Sequence, residues 1–325
     1  MTTPNPFAQE TLPAALHLDD DVSGAGVRVR FSTAAGSDLD SADFPLPLAQ
    51  LDGPETETWW LLGAPDELPA TPRGTRAIAA GGLMVCEAFQ AETADPRSAA
   101  RDLYAGLLAY INEAGYPHIV KGWNYLSDIN QGEGDEERYK TFCLGRGEAL
   151  DAAWRQDYLP AGTGVGGDAG SGLRVTLLAS QERPLLVENP RQVSAYRYPR
   201  QYGPKSPSFS RAATIGDDQR WLFISGTAAI VGHDSLHVSS IEGQIGETLR
   251  NWSSLFDAYE ALGNPRPTLT DAAWFRIYLR NGSDLPLARS LLDEAGLPLH
   301  RTRFFRADIC RRELLFEMDG AIALG

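Results

Sequence analysis

The chain has 325 residues, 43% hydrophobic and 22% charged, which is the make-up of an ordinary globular protein with room for one large or two medium cores. Its 43 acidic and 29 basic residues give a formal net charge of −14 with no basic stripe, which argues against a nucleic-acid partner. Cys86, Cys143 and Cys310 stand far apart, without CxxC or Cys/His ligand spacing, so neither a disulfide framework nor structural zinc is expected. The start MTTPNPFAQETLP has no basic and apolar leader, and no run approaches the roughly 18 apolar residues that span a bilayer; a cytoplasmic protein without membrane contact is expected.

In chain order, Leu103 to Leu126 reads as an amphipathic helix, a stop at Gly115, a Pro117 turn and an aromatic-rich strand. Pro160 to Gly172 (PAGTGVGGDAGSG) is too glycine-rich for a helix or a packed strand and reads as punctuation, as does Pro190 to Pro207. The GTGVGG run lacks the preceding apolar strand of a dinucleotide-binding fingerprint. Trp221 to Ser225 reads as a buried strand ending at Gly226. His233 and His237 have the i, i+4 spacing of a helical metal pair, but VGHDSLH reads as a loop, so no metal is expected there. Ile241 to Leu262 carries helical periodicity and stops at Gly263. Ala273 to Leu279 alternates Trp274, Arg276 and Tyr278 against Phe275, Ile277 and Leu279, a strand pattern. Pro286 to Ala295 is a second helix, and Phe304 to Cys310 and Leu314 to Ile322 are two more strands.

Three weak internal matches occur in the same order: WWLLG (59–63) with WLFISG (221–226), Leu103–Leu126 with Trp252–Leu279, and RPLLVE (183–188) with RELLFE (312–317). They predict a duplicated α/β unit and an α+β architecture of mixed sheets with helices packed on one face. The expected division is a degenerate unit over 1–158, a linker with a Tyr/Pro/Arg segment over 159–212, and a catalytic unit over 213–325.

The series ISGTA (224–228), GQIGETLRNWSSLFDAYEALG (243–263), WFRIYLR (274–280) and LLFEMDGAIA (314–323) resembles the RidA (YjgF-like) family. The segments at 123–150, 188–212, 223–237 and 307–320, above all ENPRQVSAYRYPRQYGPKSPSFSRA, resemble the chorismatases, RidA-like enzymes that act on chorismate and release pyruvate. The resemblance implies a cofactor-free enzyme for a dianionic ring compound, as a monomer or, like RidA relatives, a homotrimer. The expected ring product is 3-hydroxybenzoate, with 4-hydroxybenzoate beside it; hydrolysis of chorismate to a dihydroxycyclohexadiene carboxylate, a RidA-type imine deaminase and a non-catalytic RidA-like binding protein are the competing readings.

Two carboxylate clamps and one proton donor are needed for such a substrate. Arginine suits the clamps because its planar fork gives paired charge-assisted hydrogen bonds. Arg146, Arg211 and Arg276 are the candidates, with Arg200 behind them; Arg276 is either a clamp or an exposed edge charge. Tyr202, before the rigid Gly203-Pro204 turn, is expected to hold its hydroxyl toward the ligand, while Tyr196 and Tyr198 alternate on one face. In LLFEMDG, Glu317 interrupts an apolar strand and shares a face with Asp319, so its carboxyl should hold a proton near neutral pH, unless it pairs with Arg311 or Arg312. The resemblance implies that Glu317 is the general acid, with Glu188 its structural or degenerate counterpart. It also implies that Cys310 marks the branch forming 3-hydroxybenzoate, and that Ala229 bears on pocket size.

Overall fold

A computed structural model of the chain describes residues 16–17, 26–33, 42–91, 95–153, 159–216 and 221–324. A four-stranded sheet has the order β1 (Leu16–His17), β5 (Thr56–Leu62), β2 (Gly26–Ser32), β3 (Asp43–Pro45). A five-stranded sheet has the order β6 (Thr75–Ala80), β7 (Leu83–Gln90), β10 (Leu173–Ser180), β8 (His118–Ser127), β9 (Ala161–Gly167). A seven-stranded sheet runs β11 (Leu186–Val187), β12 (Ala212–Ile215), β13 (Trp221–Ala228), β18 (Phe316–Ala323), β16 (Ala272–Leu279), β17 (Thr302–Arg306), β4 (Ala49–Asp52). A small hairpin joins β14 (Ile230–Val231) to β15 (Asp234–Ser235). Helices α1 (Pro96–Glu113) and α2 (Arg138–Ala153) belong to the five-stranded sheet, and α3 (Ile241–Glu260) and α4 (Leu285–Glu294) to the seven-stranded one.

Local signals place these elements. Helix α3 starts at Ser240, whose hydroxyl accepts the Gly243 N–H, and turns Ile245, Trp252, Leu255, Phe256 and Tyr259 inward at helical spacing. Helix α1 starts at Asp95, whose carboxylate accepts the Arg97 and Ser98 N–H groups, with Pro96 following. Each pair of helices covers the outer face of its sheet, and the inner faces of the sheets meet. Between them lies an aromatic core that includes Phe31, Trp59, Trp123, Phe223, Trp274 and Tyr278. No described helix is long and apolar enough to cross a membrane.

The duplication is plain in the topology. The series β6-β7-α1-β8-α2-β9-β10 and β12-β13-α3-β16-α4-β17-β18 give sheets of the same strand order, with β8/β9 and β16/β17 as their parallel pairs. Of the three sequence matches, only the helix-strand one joins equivalent elements. WWLLG lies in β5 of the separate four-stranded sheet, whereas β7 is the true counterpart of β13. RPLLVE runs into the edge strand β11, whereas β10 is the counterpart of β18. By strand position, both strands having eight residues, the counterpart of Glu317 is Arg174, not Glu188.

A second correction concerns the glycine run. Residues 161–167 are not a linker but strand β9, paired in parallel with β8. The first unit therefore continues to Ser180, and the boundary expected at residue 159 cuts through its sheet. The glycines leave room for neighbours from α2, the Tyr/Pro/Arg segment and the second unit. A Cβ on Gly162 would lie 3.1 Å from Cβ of Phe209, one on Gly164 3.4 Å from the Tyr139 ring, and one on Gly166 3.0 Å from Cβ of Asp308.

Helix α2, which carries Tyr139 and Arg146, closes on α1 at Gly145, where a Cβ would fall 1.9 Å from the Arg97 carbonyl oxygen. Gly145→Ala should cost about 1–3 kcal/mol through overpacking, read as a lower urea midpoint. An unchanged midpoint would show that the two helices do not meet there.

Candidate active site

The sheets, α2 and the Tyr/Pro/Arg segment enclose a cavity of about 230 Å³. A recess of about 30 Å³ leads inward from it, and Tyr139, Phe209, Gly226, Cys310 and Glu317 line both. Glu317 thus stands at the junction. It projects from β18, whose other face sends Phe316 and Met318 into the core under α3. Its carboxyl lies over Gly226: a Cβ there would fall 2.1 Å from Oε1. A side chain at 226 would displace the carboxyl from that place.

Among the described residues Glu317 has no arginine partner. Arg311 donates to the His233 carbonyl and the Ser235 hydroxyl, and Arg312 donates to Glu133 and to the carbonyls of Asn130 and Gly132. Burial pushes the Glu317 carboxyl up to about 8, with the Asp319 carboxylate adding to the rise and Lys121 opposing it. Below that pH the group is mostly a neutral acid. Asp319, in contrast, accepts from Trp123 Nε1 (2.9 Å), Thr163 Oγ1 (2.6 Å) and Tyr278 OH (3.2 Å), and lies 3.3 Å from Lys121 Nζ. The two carboxyls of one strand face therefore differ: one is surrounded by donors, the other is not.

Three arginines converge on this space. Arg146 lines the recess, with its guanidinium 5.1 Å from the Tyr104 ring centre. Arg211 donates to the Val193 carbonyl and the Tyr198 hydroxyl at the cavity wall. Arg311 lies 3.9 Å over the Tyr202 ring. Each keeps a buried N–H without an acceptor among the described residues: Nε and one terminal nitrogen of Arg146, Nε of Arg211, and one terminal nitrogen of Arg311. Buried donors left open in this way are costly unless a ligand takes them. Sequence reasoning saw Arg311 only as a structural partner. It also missed Tyr139, although Tyr139 and Arg146 are seven residues apart, two turns along one helix face.

Other expectations are corrected. Arg276 is no clamp and no edge charge. It is fully buried in the aromatic core, forked onto Glu57 by two 2.9 Å bonds, with the rings of Phe31, Trp123 and Trp274 about it. Its carboxylate partner Glu57 comes from β5 and Phe31 from β2, strands whose role the sequence did not show. Ala229 is fully buried and does not line the cavity; its neighbours Ala228 and Ile230 do. Arg200 pairs with Asp135 at the surface. Tyr196 and Tyr198 diverge because residues 195–197 form a 3-10 turn: Tyr196 is exposed and Tyr198 buried. Tyr202 lines the cavity, but its hydroxyl turns to His233 (3.4 Å) and Asp234 (3.3 Å), leaving its ring face for Arg311. His233 lies at the β14-β15 turn, and His237 reaches Glu247 at 3.4 Å. Cys310 lines cavity and recess alike, and burial pushes its thiol up, away from reactivity.

With this geometry in hand, the chain was compared with known proteins. The family described as chorismatase FkbO/Hyg5-like, N-terminal, matches residues 60–179. A chorismatase of Streptomyces rapamycinicus is 35% identical over 230 residues, 68% of this chain and 69% of that protein. A 3-hydroxybenzoate synthase of Streptomyces hygroscopicus is 31% identical over 253 residues, 74% of each. A chorismatase crystal structure superposes with a TM-score of 0.84 at 27% identity, covering 95% of this chain and 98% of that one.

Two outcomes follow from the buried charges. Glu57→Gln weakens the fork on Arg276 inside the core, and a loss of about 3 kcal/mol is expected in urea unfolding; a neutral result would remove the pair from its structural role. For Glu317, the folded-state value lies above that of an exposed carboxyl, so its contribution to stability is whole below the ordinary carboxylate range and is lost as pH rises through about 8. Glu317→Gln cannot ionise, so its melting temperature should fall less than the wild type's over that rise. Parallel curves would show that the carboxyl is not held protonated.

Proposed function

Since the chain belongs to the chorismatase family, we propose that it cleaves chorismate to pyruvate and 3-hydroxybenzoate, with Glu317 as proton donor. The observation that carries this reading is the neutral acid of Glu317 placed between three arginines with open N–H groups. A dianion with two carboxylates on opposite sides of an enol ether matches that arrangement. One carboxylate would take Arg146 in the recess and the other Arg211 and Arg311 in the outer cavity, fixing a single pose before the chemistry.

Glu317 then gives its proton to the enolpyruvyl methylene carbon, making a methyl group and an oxocarbenium-like centre. The ring 4-hydroxyl attacks the neighbouring ring carbon, the ether C–O bond breaks, and pyruvate leaves with the electron pair. The oxygen now bridges two ring carbons; its bond to the carbon that first carried it opens, and loss of the C–H proton from the newly oxygenated carbon completes the aromatic ring. Two protons are given, to the methylene carbon and finally to the phenol oxygen. Two are taken, from the ring hydroxyl and the ring C–H, so no water is consumed. Tyr139, Phe209 and Cys310, which close the junction around Glu317, favour this internal route by keeping water from the same centre. A small imino acid would not need a three-arginine cavity of this size, which weighs against the deaminase reading. Both walls of the site come from one chain, which supports a monomer as the catalytic form.

A coupled pyruvate assay with chorismate, followed by chromatography of the ring product, tests the proposal. Pyruvate with 3-hydroxybenzoate supports it; a dihydroxycyclohexadiene carboxylate would move the chain to the hydrolytic branch, and no pyruvate would overturn it. Glu317→Gln should lower turnover by about 10²-fold or more while calorimetry still shows chorismate bound. The wild-type rate should fall as pH rises through about 8, where the donor loses its proton.

A further inference from the structure

The described interior holds one lysine ammonium that is wholly enclosed, Lys121 on β8 of the first unit. It does not line the cavity or the recess. Its Nζ donates to Thr163 Oγ1 and to the Ile224 carbonyl, both at 2.7 Å, and lies 3.3 Å from Asp319. Thr163, on β9, donates to Asp319 and accepts the Gly226 N–H at 3.0 Å. Two residues of the first unit thus hold backbone groups on either side of Ser225 in the second. This is the stretch where β13 slips register against β18, between Ile224 and Thr227. Ser225 itself is tied across, accepting the Gly162 N–H at 2.8 Å and donating to the Ser210 carbonyl at 2.6 Å. Gly226, at this slip, is the floor on which the Glu317 carboxyl rests.

We propose that Lys121, through Thr163, is a positioning residue for the Glu317 proton: it fixes the β13 bulge under the carboxyl and neutralises the neighbouring Asp319. The inference rests on Glu317 being the proton donor and adds to it the origin of the donor's setting in the opposite unit. Two buried carboxyls stand two residues apart on one strand face, and among the described residues neither pairs with an arginine. The ammonium lies directly against Asp319, beside its three other donors, and makes no ion pair with Glu317 among the described residues. The groups facing this pair are few. Asp319 meets Lys121, Thr163, Trp123 and Tyr278. Glu317 meets Asp319 and Lys121 at closest electrostatic range, with Tyr139, Tyr278 and Cys310 around it. Arg276 stands behind Lys121 and weakens its hold on a proton, together with burial.

The test is the pH dependence of pyruvate release from chorismate by the full chain. Lys121→Met removes the ammonium but keeps the length of the side chain. It should move the alkaline limb of the kcat profile upward by about one pH unit, because the cation that opposes protonation of Glu317 is gone. KM should change little, since Lys121 does not touch the cavity. Thr163→Val should move the limb as well, and Thr163→Ser, which restores the hydroxyl, should return it toward the wild-type position; this pair decides the matter if Lys121→Met does not fold. A limb that stays in place in Lys121→Met and in Thr163→Val, while Glu317→Gln is inactive, overturns the role of Lys121 alone. Full turnover in Glu317→Gln overturns the proton-donor reading and this inference with it.

Discussion

The closeness of the two sheets is the constraint on which the rest depends. Four of the seven residues of strand β9 are glycines, and three of these let Phe209, Tyr139 and Asp308 lie against its backbone. That contact brings Thr163 within hydrogen-bonding range of Gly226 and Asp319, and sets Lys121 against the Ile224 carbonyl. It also brings Arg146, on a helix of the first unit, to the same recess as Glu317, on a strand of the second. Two cores of ordinary composition would give two domains; the bare strand makes them one active site.

The interior holds charges of two kinds, and the distinction outlines the site. Arg276 with Glu57, and Lys121 with Asp319, find their opposite charge within the chain and are enclosed by aromatic rings or further donors. Such pairs add little net stability but are costly to break, and they hold the sheets in a fixed relation. Arg146, Arg211 and Arg311 are different: they line the cavity or its recess, and each keeps a buried N–H without an acceptor among the described residues. Three guanidinium groups with open donors around one cavity suit a charged guest.

Much of this was legible from sequence. The helices and strands after Trp221 follow their sequence signals closely: each helix packs one face on a core, and the strands, buried on both faces, stand out as apolar runs bounded by turns. Glu317 was legible for the same reason: a carboxylate inside an apolar strand has few explanations. Arg276 obeyed the alternation of its strand and misled. Its face looks into the space between the sheets rather than to a ligand, and its partner Glu57 lies 219 residues away on a separate sheet that no local pattern announces. The glycine run misled in the opposite sense. Poor intrinsic strand propensity was outweighed by the close approach of Phe209, Tyr139 and Asp308 to those positions. Ala229 failed by a single residue, since the alternation of inward and outward side chains past the bulge gives the cavity to Ala228 and Ile230.

The bare strand also shapes how this enzyme can diversify. A methyl gained at Gly162 or Gly166 would press on Phe209 or Asp308, so the deep end of the pocket resists gradual change. The mouth does not: its wall is drawn from irregular turns, where Tyr202, Gln201 and Arg312 are only partly enclosed. Descendants seeking a new product would vary at the entrance and inherit the interior intact.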